Sequence, residues 1–112
     1  MVAVPRRGDV FLIDLDPTRG GEIRKTRPCV IVSPDELNVH VRTVIVAPWT
    51  TRSHSYPYRI ACRFSGKSGH VVADQVRTVH RERLVRRLGP EPPICIFEDN
   101  VGRFEDRCVL GP

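Results

Sequence analysis

The residues best equipped for chemistry are an arginine set beside a proline and a threonine closing an apolar run. Arg27 precedes Pro28. The proline biases Arg27 toward extended backbone, so its guanidinium enters the following strand in a defined direction. A planar guanidinium grips a phosphate through two parallel hydrogen bonds, which a lysine ammonium does not. Thr50 follows Pro48-Trp49. Its hydroxyl can donate to a phosphate oxygen, or simply cap a strand end. Glu22 lies in the polar stretch Thr18–Thr26, where a carboxylate is either a general base or a solvated acid. Asp74 and Gln75, followed by Arg77-Thr78, read as ligand contacts or as a buried network holding the fold.

Composition narrows what such residues serve. The chain has 112 residues, 18 Lys+Arg against 13 Asp+Glu, and a net charge of +5. That length suits one domain spanning 1–112 and excludes a two-domain enzyme or a repeat array. Sixteen of the cations are arginine, and residues 51–90 carry nine cations against two anions, whereas 91–112 carry two against five. A local arginine excess suggests a phosphate-rich partner. No run approaches the ~20 apolar residues of a membrane helix, and the N-terminus lacks a signal-peptide core. A soluble cytoplasmic protein is expected. The cysteines at 29, 62, 95 and 108 form no Cys-x-x-Cys, which argues against structural zinc. Cys29 and Cys62 read as small buried hydrophobes.

The elements that must position these residues are mostly short strands. Val10–Leu15, Cys29–Ser33 and Thr43–Ala47 are β-rich apolar runs, the last closed by Pro48-Trp49. Tyr58–Phe64 alternates, with Tyr58, Ile60, Cys62 and Phe64 on one face and Arg59 and Arg63 on the other. Ser65–Gly69 is a turn and His70–Ala73 returns as a strand. Ser33-Pro34-Asp35-Glu36 predicts a short helical turn capped by Ser33. Such strands at such spacing imply a small, strongly bent sheet or barrel. In the tail, Ile94, Phe97, Val101, Phe104 and Cys108 recur at helical steps after Pro92-Pro93, predicting a C-terminal helix, with Gly102 a defect in it.

Three ordered segments carry a family resemblance. They are Arg7-Gly8-Asp9-Val10 with Asp14-Leu15-Asp16-Pro17-Thr18-Arg19-Gly20-Gly21-Glu22; Thr26-Arg27-Pro28 running into Cys29–Pro34; and Val46-Ala47-Pro48-Trp49-Thr50-Thr51 with Tyr56-Pro57-Tyr58 and Ala73–Val79 behind it. In this combination the chain resembles the MazF/PemK/Kid toxin endoribonucleases. The resemblance implies a mainly β (α+β) fold, a small SH3-like β-barrel with short helices and a C-terminal helix. It implies a homodimer that cuts single-stranded RNA at short sequences with no metal and no cofactor. It also implies neutralisation by an antitoxin, whose acidic, largely disordered segment would lie across the basic groove.

The same resemblance carries roles to single residues. Arg27 takes the catalytic arginine's place and Thr50 that of the active-site hydroxyl. Glu22 corresponds to an acid functional in some members; Gly21 stands where others carry a histidine. Asp74 matches an acid/base candidate, but Val72 replaces the arginine that accompanies that role. Thr51, Arg52, His54, Tyr56, Arg59, Asp74, Gln75 and Arg77 are the expected RNA contacts, with Tyr56 and Tyr58 as stacking platforms and Trp49 either a platform or a residue of the core or dimer interface. His40, His70 and His80 read as surface or strand-end residues. Two rival readings stay open: a gyrase-binding toxin of the same fold, and a catalytically silent RNA-binding barrel.

Overall fold

Apolar runs without alternation demand burial on both faces, and the topology supplies it. The computed structural model describes residues 4–15, 25–51, 59–89, 94–97 and 100–103. Its strands are β1 (Val10–Asp14), β2 (Thr26–Ile31), β3 (Thr43–Thr50), β4 (Arg59–Phe64), β5 (Lys67–Val72), β6 (Arg77–His80), β7 (Leu84–Leu88), β8 (Ile94–Phe97) and β9 (Asn100–Arg103), with one helix, α1 (Asp35–His40). Every strand pairing among the described residues is antiparallel.

The strands form two sheets that share β3. The first runs β7-β1-β2-β3-β6. Its outer strands, β6 and β7, are joined only by a 3-10 turn at Arg81–Arg83, so the sheet rolls into a five-stranded barrel. An irregularity at Leu12/Ile13 in the β1–β7 ladder supplies local curvature. Phe11, Ile13, Leu15, Cys29, Ile31, Val44, Val46, Val79 and Leu84 fill the interior. The second sheet, β3-β5-β4-β8-β9, continues from the far half of β3. Its inner face packs Trp49, Ile60, Cys62 and Val71 against Val10, Val30, Val32 and Ala47. Successive residues of β1, β2 and β3 therefore serve two different cores.

The mainly β, barrel-like expectation is met, with corrections at the ends of elements. β3 runs on through Pro48 and Trp49 to Thr50. Along one edge of β3, pairing with β6 ends at Val46 and pairing with β5 begins at Trp49. The missing N–H of Pro48 thus falls between two ladders and interrupts neither. α1 begins after Pro34 with no side-chain cap. Ser33 instead donates to Asn38 Oδ1 and accepts from Ile45 N–H, inside a buried network where Asn38 also donates to Pro5 and Ser33 carbonyls. The turn after β4 shrinks to Ser65-Gly66, both at positive φ, which favours a tight hairpin.

The predicted C-terminal helix is overturned where the chain is described. Ile94–Phe97 pairs with β4 and folds back on Asn100–Arg103 as a hairpin. Ile-Cys-Ile-Phe is an unbroken run of strand formers, and the open edge of β4 offers it hydrogen bonds. The three- and four-residue steps of the apolar residues did not reflect a helix there; residues 104–112 lie outside the described part.

Candidate functional site

The β2–β3 register decides where the candidate residues meet. Cys29 pairs with Pro48, Val30 with Ala47 and Ile31 with Val46. The ladder ends at that first pair; Arg27 and Thr50 each lie two residues beyond it on their own strands, toward the same end. Arg27 follows the alternation of Cys29 and Ile31, and Thr50 that of Val44, Val46 and Pro48. Both therefore stand on the interior face of the barrel wall, beyond the packed core, at its open end. Arg27 is exposed there and Thr50 half-buried.

Cys29 and Arg77 form the floor beneath them. Cys29 is fully buried, and its thiol donates to the Arg27 carbonyl across 3.5 Å. Burial pushes its pKa up to about 12, although the Arg77 cation pulls the other way. The thiol is thus a packing group here, not a nucleophile. Arg77 lies opposite Val46 on β6, and its Nη1 donates to the Leu15 carbonyl across 3.1 Å. That bond ties down the chain just where residues 16–24 begin.

The second sheet extends the same face beyond Thr50. Thr50 pairs with His70 on β5, and His70 with Ala61 on β4. The neighbouring row, Trp49–Val71–Ile60, belongs to the core side. Arg59 and Arg63 fall on either side of Ala61 at same-face positions of β4, and Arg63 is exposed. The 3-10 turn Ala73–Gln75 packs against β3 and β4. It holds Asp74 exposed and Gln75 half-buried. Thr51 is exposed immediately after the strand.

The expected site is thus brought together in part. Arg27, Thr50 and Thr51 gather at the barrel mouth; Asp74 and Gln75 sit on a turn packed against β3. Arg77 reaches the same mouth with its guanidinium bonded to backbone. Arg59 is placed as a backbone position. Glu22, Arg52, His54 and Tyr56 lie outside the described residues, as does Tyr58. Trp49 is no stacking platform: it is 8% exposed and packs edge-to-face on Phe64, ring centroids 6.0 Å apart. The sequence alone reads His70 as a surface or strand-end residue. Only the β3–β5 register reveals it beside Thr50, and the sequence offers just one hint: a polar residue alternating with buried Gly69 and Val71.

Comparison with known proteins supplies the family. Residues 6–93 match the family described as PemK-like, MazF-like toxin of type II toxin-antitoxin system. The endoribonuclease toxin MazF of Escherichia coli K12 is 36% identical over 91 residues, covering 80% of this chain and 82% of that one. A crystal structure of MazF from Deinococcus radiodurans superposes with a TM-score of 0.69 at 29% identity, covering 78% and 81% of the two chains. A mycobacterial endoribonuclease in complex with its cognate antitoxin gives 0.62 at 30% identity, covering 76% and 77%. With a match running from the turn before β1 to beyond β7, this chain belongs to the PemK-like, MazF-like toxins of type II toxin–antitoxin systems.

Proposed function

We propose that this MazF-like endoribonuclease toxin cuts single-stranded RNA at a short sequence, needs no metal, and leaves a 2′,3′-cyclic phosphate and a 5′-hydroxyl. What supports the reading is the β2–β3 register, which runs Arg27 and Thr50 out to the same end of the barrel, two residues past the last paired residues. The 2′-oxygen of the RNA attacks its own phosphorus. Its proton passes to a base, for which Glu22 is the candidate, and the P–O5′ bond breaks as the departing oxygen takes a proton from water, the hydroxide left behind taking back the proton held by the base. Arg27 stabilises the charge that builds on the pentavalent phosphate and hydrogen-bonds the leaving oxygen. Thr50 donates to a non-bridging oxygen and fixes its orientation.

Sequence is read on unstacked bases. Thr51, Arg52, His54, Tyr56, Arg59, Asp74 and Gln75 are the candidate contacts, and Arg77 supports the floor. The protein acts in the cytoplasm as a homodimer whose groove admits one strand. A cognate antitoxin with an acidic, disordered segment competes for that groove by charge and by strand or coil docking. The solved toxin–antitoxin complex of the mycobacterial relative supports such a partner.

The test is end-mapping of RNA incubated with the purified protein in EDTA. The expected result is site-specific cleavage with cyclic-phosphate 3′-ends. Intact RNA, or ends bearing 5′-phosphate, would overturn the mechanism.

A further inference from the structure

His70 is absent from the mechanism above, yet it stands on the reactive face. Residues directly opposite across an antiparallel pair hold their Cβ atoms about 4.5–5.5 Å apart. Thr50 and His70 are such a pair, and both point away from the Trp49–Val71 core row. Ala61, on the other side of His70, is small and half-buried. Arg59 and Arg63 flank Ala61 on that face, and Asp74 lies on the turn that packs against β3 and β4.

The imidazole also carries an unexplained atom. Its Nδ1 is enclosed and meets no hydrogen-bond partner. The residue as a whole is only partly buried, and Nε2 is not among the enclosed, unpartnered atoms. A buried N–H without an acceptor is costlier than a buried lone pair without a donor. The ring proton therefore belongs on Nε2. In that tautomer Nε2 can donate and cannot accept. A donor suits an oxygen that gains negative charge, not a hydroxyl that must lose its proton.

We infer that His70 is a catalytic residue for the cleavage proposed above, holding a non-bridging oxygen of the scissile phosphate through its Nε2–H alongside Thr50. The assignment rests on that cleavage reading. No proton is exchanged with His70: the hydrogen bond shortens as the oxygen gains charge and relaxes when the cyclic phosphate forms. Thr50 from β3 and His70 from β5 then grip one phosphate from two strands of one sheet, while Arg27 reaches it from β2. Preorganised donors of this kind act on the transition state more than on the bound substrate.

A pair of replacements separates donation from other roles. Glutamine carries an amide N–H near the position of Nε2, whereas leucine has comparable bulk and no donor. Cleavage of an RNA oligonucleotide is compared with binding of the same oligonucleotide made uncleavable by a 2′-deoxy nucleotide at the scissile position. His70→Leu is expected to lower kcat about 100-fold, with binding of the uncleavable strand changed less than threefold. His70→Gln should stay within tenfold of the wild type. In the wild type, the His70 15N resonances should move at Nε2 when the uncleavable strand is added, a readout independent of any replacement. Wild-type rates in His70→Leu, a glutamine variant no better than leucine, or an unmoved Nε2 resonance would each overturn the assignment while leaving the cleavage mechanism intact. A wild-type protein that produces no cyclic-phosphate ends would instead remove the reading beneath it.

Discussion

A guanidinium that acts when charge builds on phosphorus is needed for rate and not for folding. Arg27 is exposed and outside both cores. Arg27→Ala is expected to lower kcat/KM about 10²–10³-fold, as loss of a transition-state donor does, with an unchanged melting temperature. Arg27→Lys should recover little, because a point charge cannot reproduce the two-pronged grip. Unimpaired cutting by Arg27→Ala would end the assignment. Cys29 behaves oppositely, serving stability alone. Its thiol titrates at 9.0 in the unfolded chain and at about 12 in the fold. Below pH 9 both states keep the proton and the group is silent. Above it the unfolded state loses the proton first, so folding weakens as pH rises, by up to about 1.4 kcal/mol per unit until pH 12. Denaturant midpoints for the wild type and Cys29→Val should diverge in slope between pH 8 and 10.5; parallel curves would refute this. At this scale Arg27 was legible, because Arg-Pro at a strand entry is a local signal. His70 was not, since its meaning depends on a partner twenty residues away.

Elements hold the reactive face through close approaches that a sequence does not display. Gly69 in β5 runs under the Trp49 indole: a Cβ there would lie 2.8 Å from Cζ2 and 2.9 Å from Cε2, and would also meet the Thr50 carbonyl. Because the obstacle includes backbone, Gly69→Ala should cost about 1–3 kcal/mol, the usual penalty of overpacking. It should also push Thr50 off its register, so activity falls beyond what the stability loss explains. Equal losses in both would argue that Thr50 does not move. A turn beginning at Ser65 was readable, since Gly66 provides positive φ cheaply, but not its length, because Lys67–Gly69 belong to β5. The strands of the first two-thirds were readable from β-branched runs. The tail misled because three- and four-residue apolar steps were weighed without the open edge of β4, which made Ile94–Phe97 a strand.

On the scale of the molecule, the arginine excess is smaller than it looks. Arg77, Arg81 and Arg83 donate to the carbonyls of Leu15, Asn38 and Asp14, and Arg87 bonds the Asp9 carboxylate across 3.2 Å. Four of the nine cations in residues 51–90 are thus engaged within the protein, although the three on neutral carbonyls keep their full charge. RNA binding should therefore show a shallow salt slope. With about three phosphates contacted, affinity should fall on the order of tenfold to twentyfold between 50 and 200 mM salt. A thousandfold loss would mean that these arginines leave their carbonyls for the RNA. The sharing of β3 between the two sheets has its own corollary. Thr50 rides on the strand both halves need, with Arg27 on one neighbour and His70 on the other. The barrel cannot come apart from the flanking sheet without dismantling the trio, and amide protons along β2, β3 and β5 should exchange as one cooperative block. Such a toxin has no half-armed form: it is assembled with its site in place, or it is loose chain for a protease.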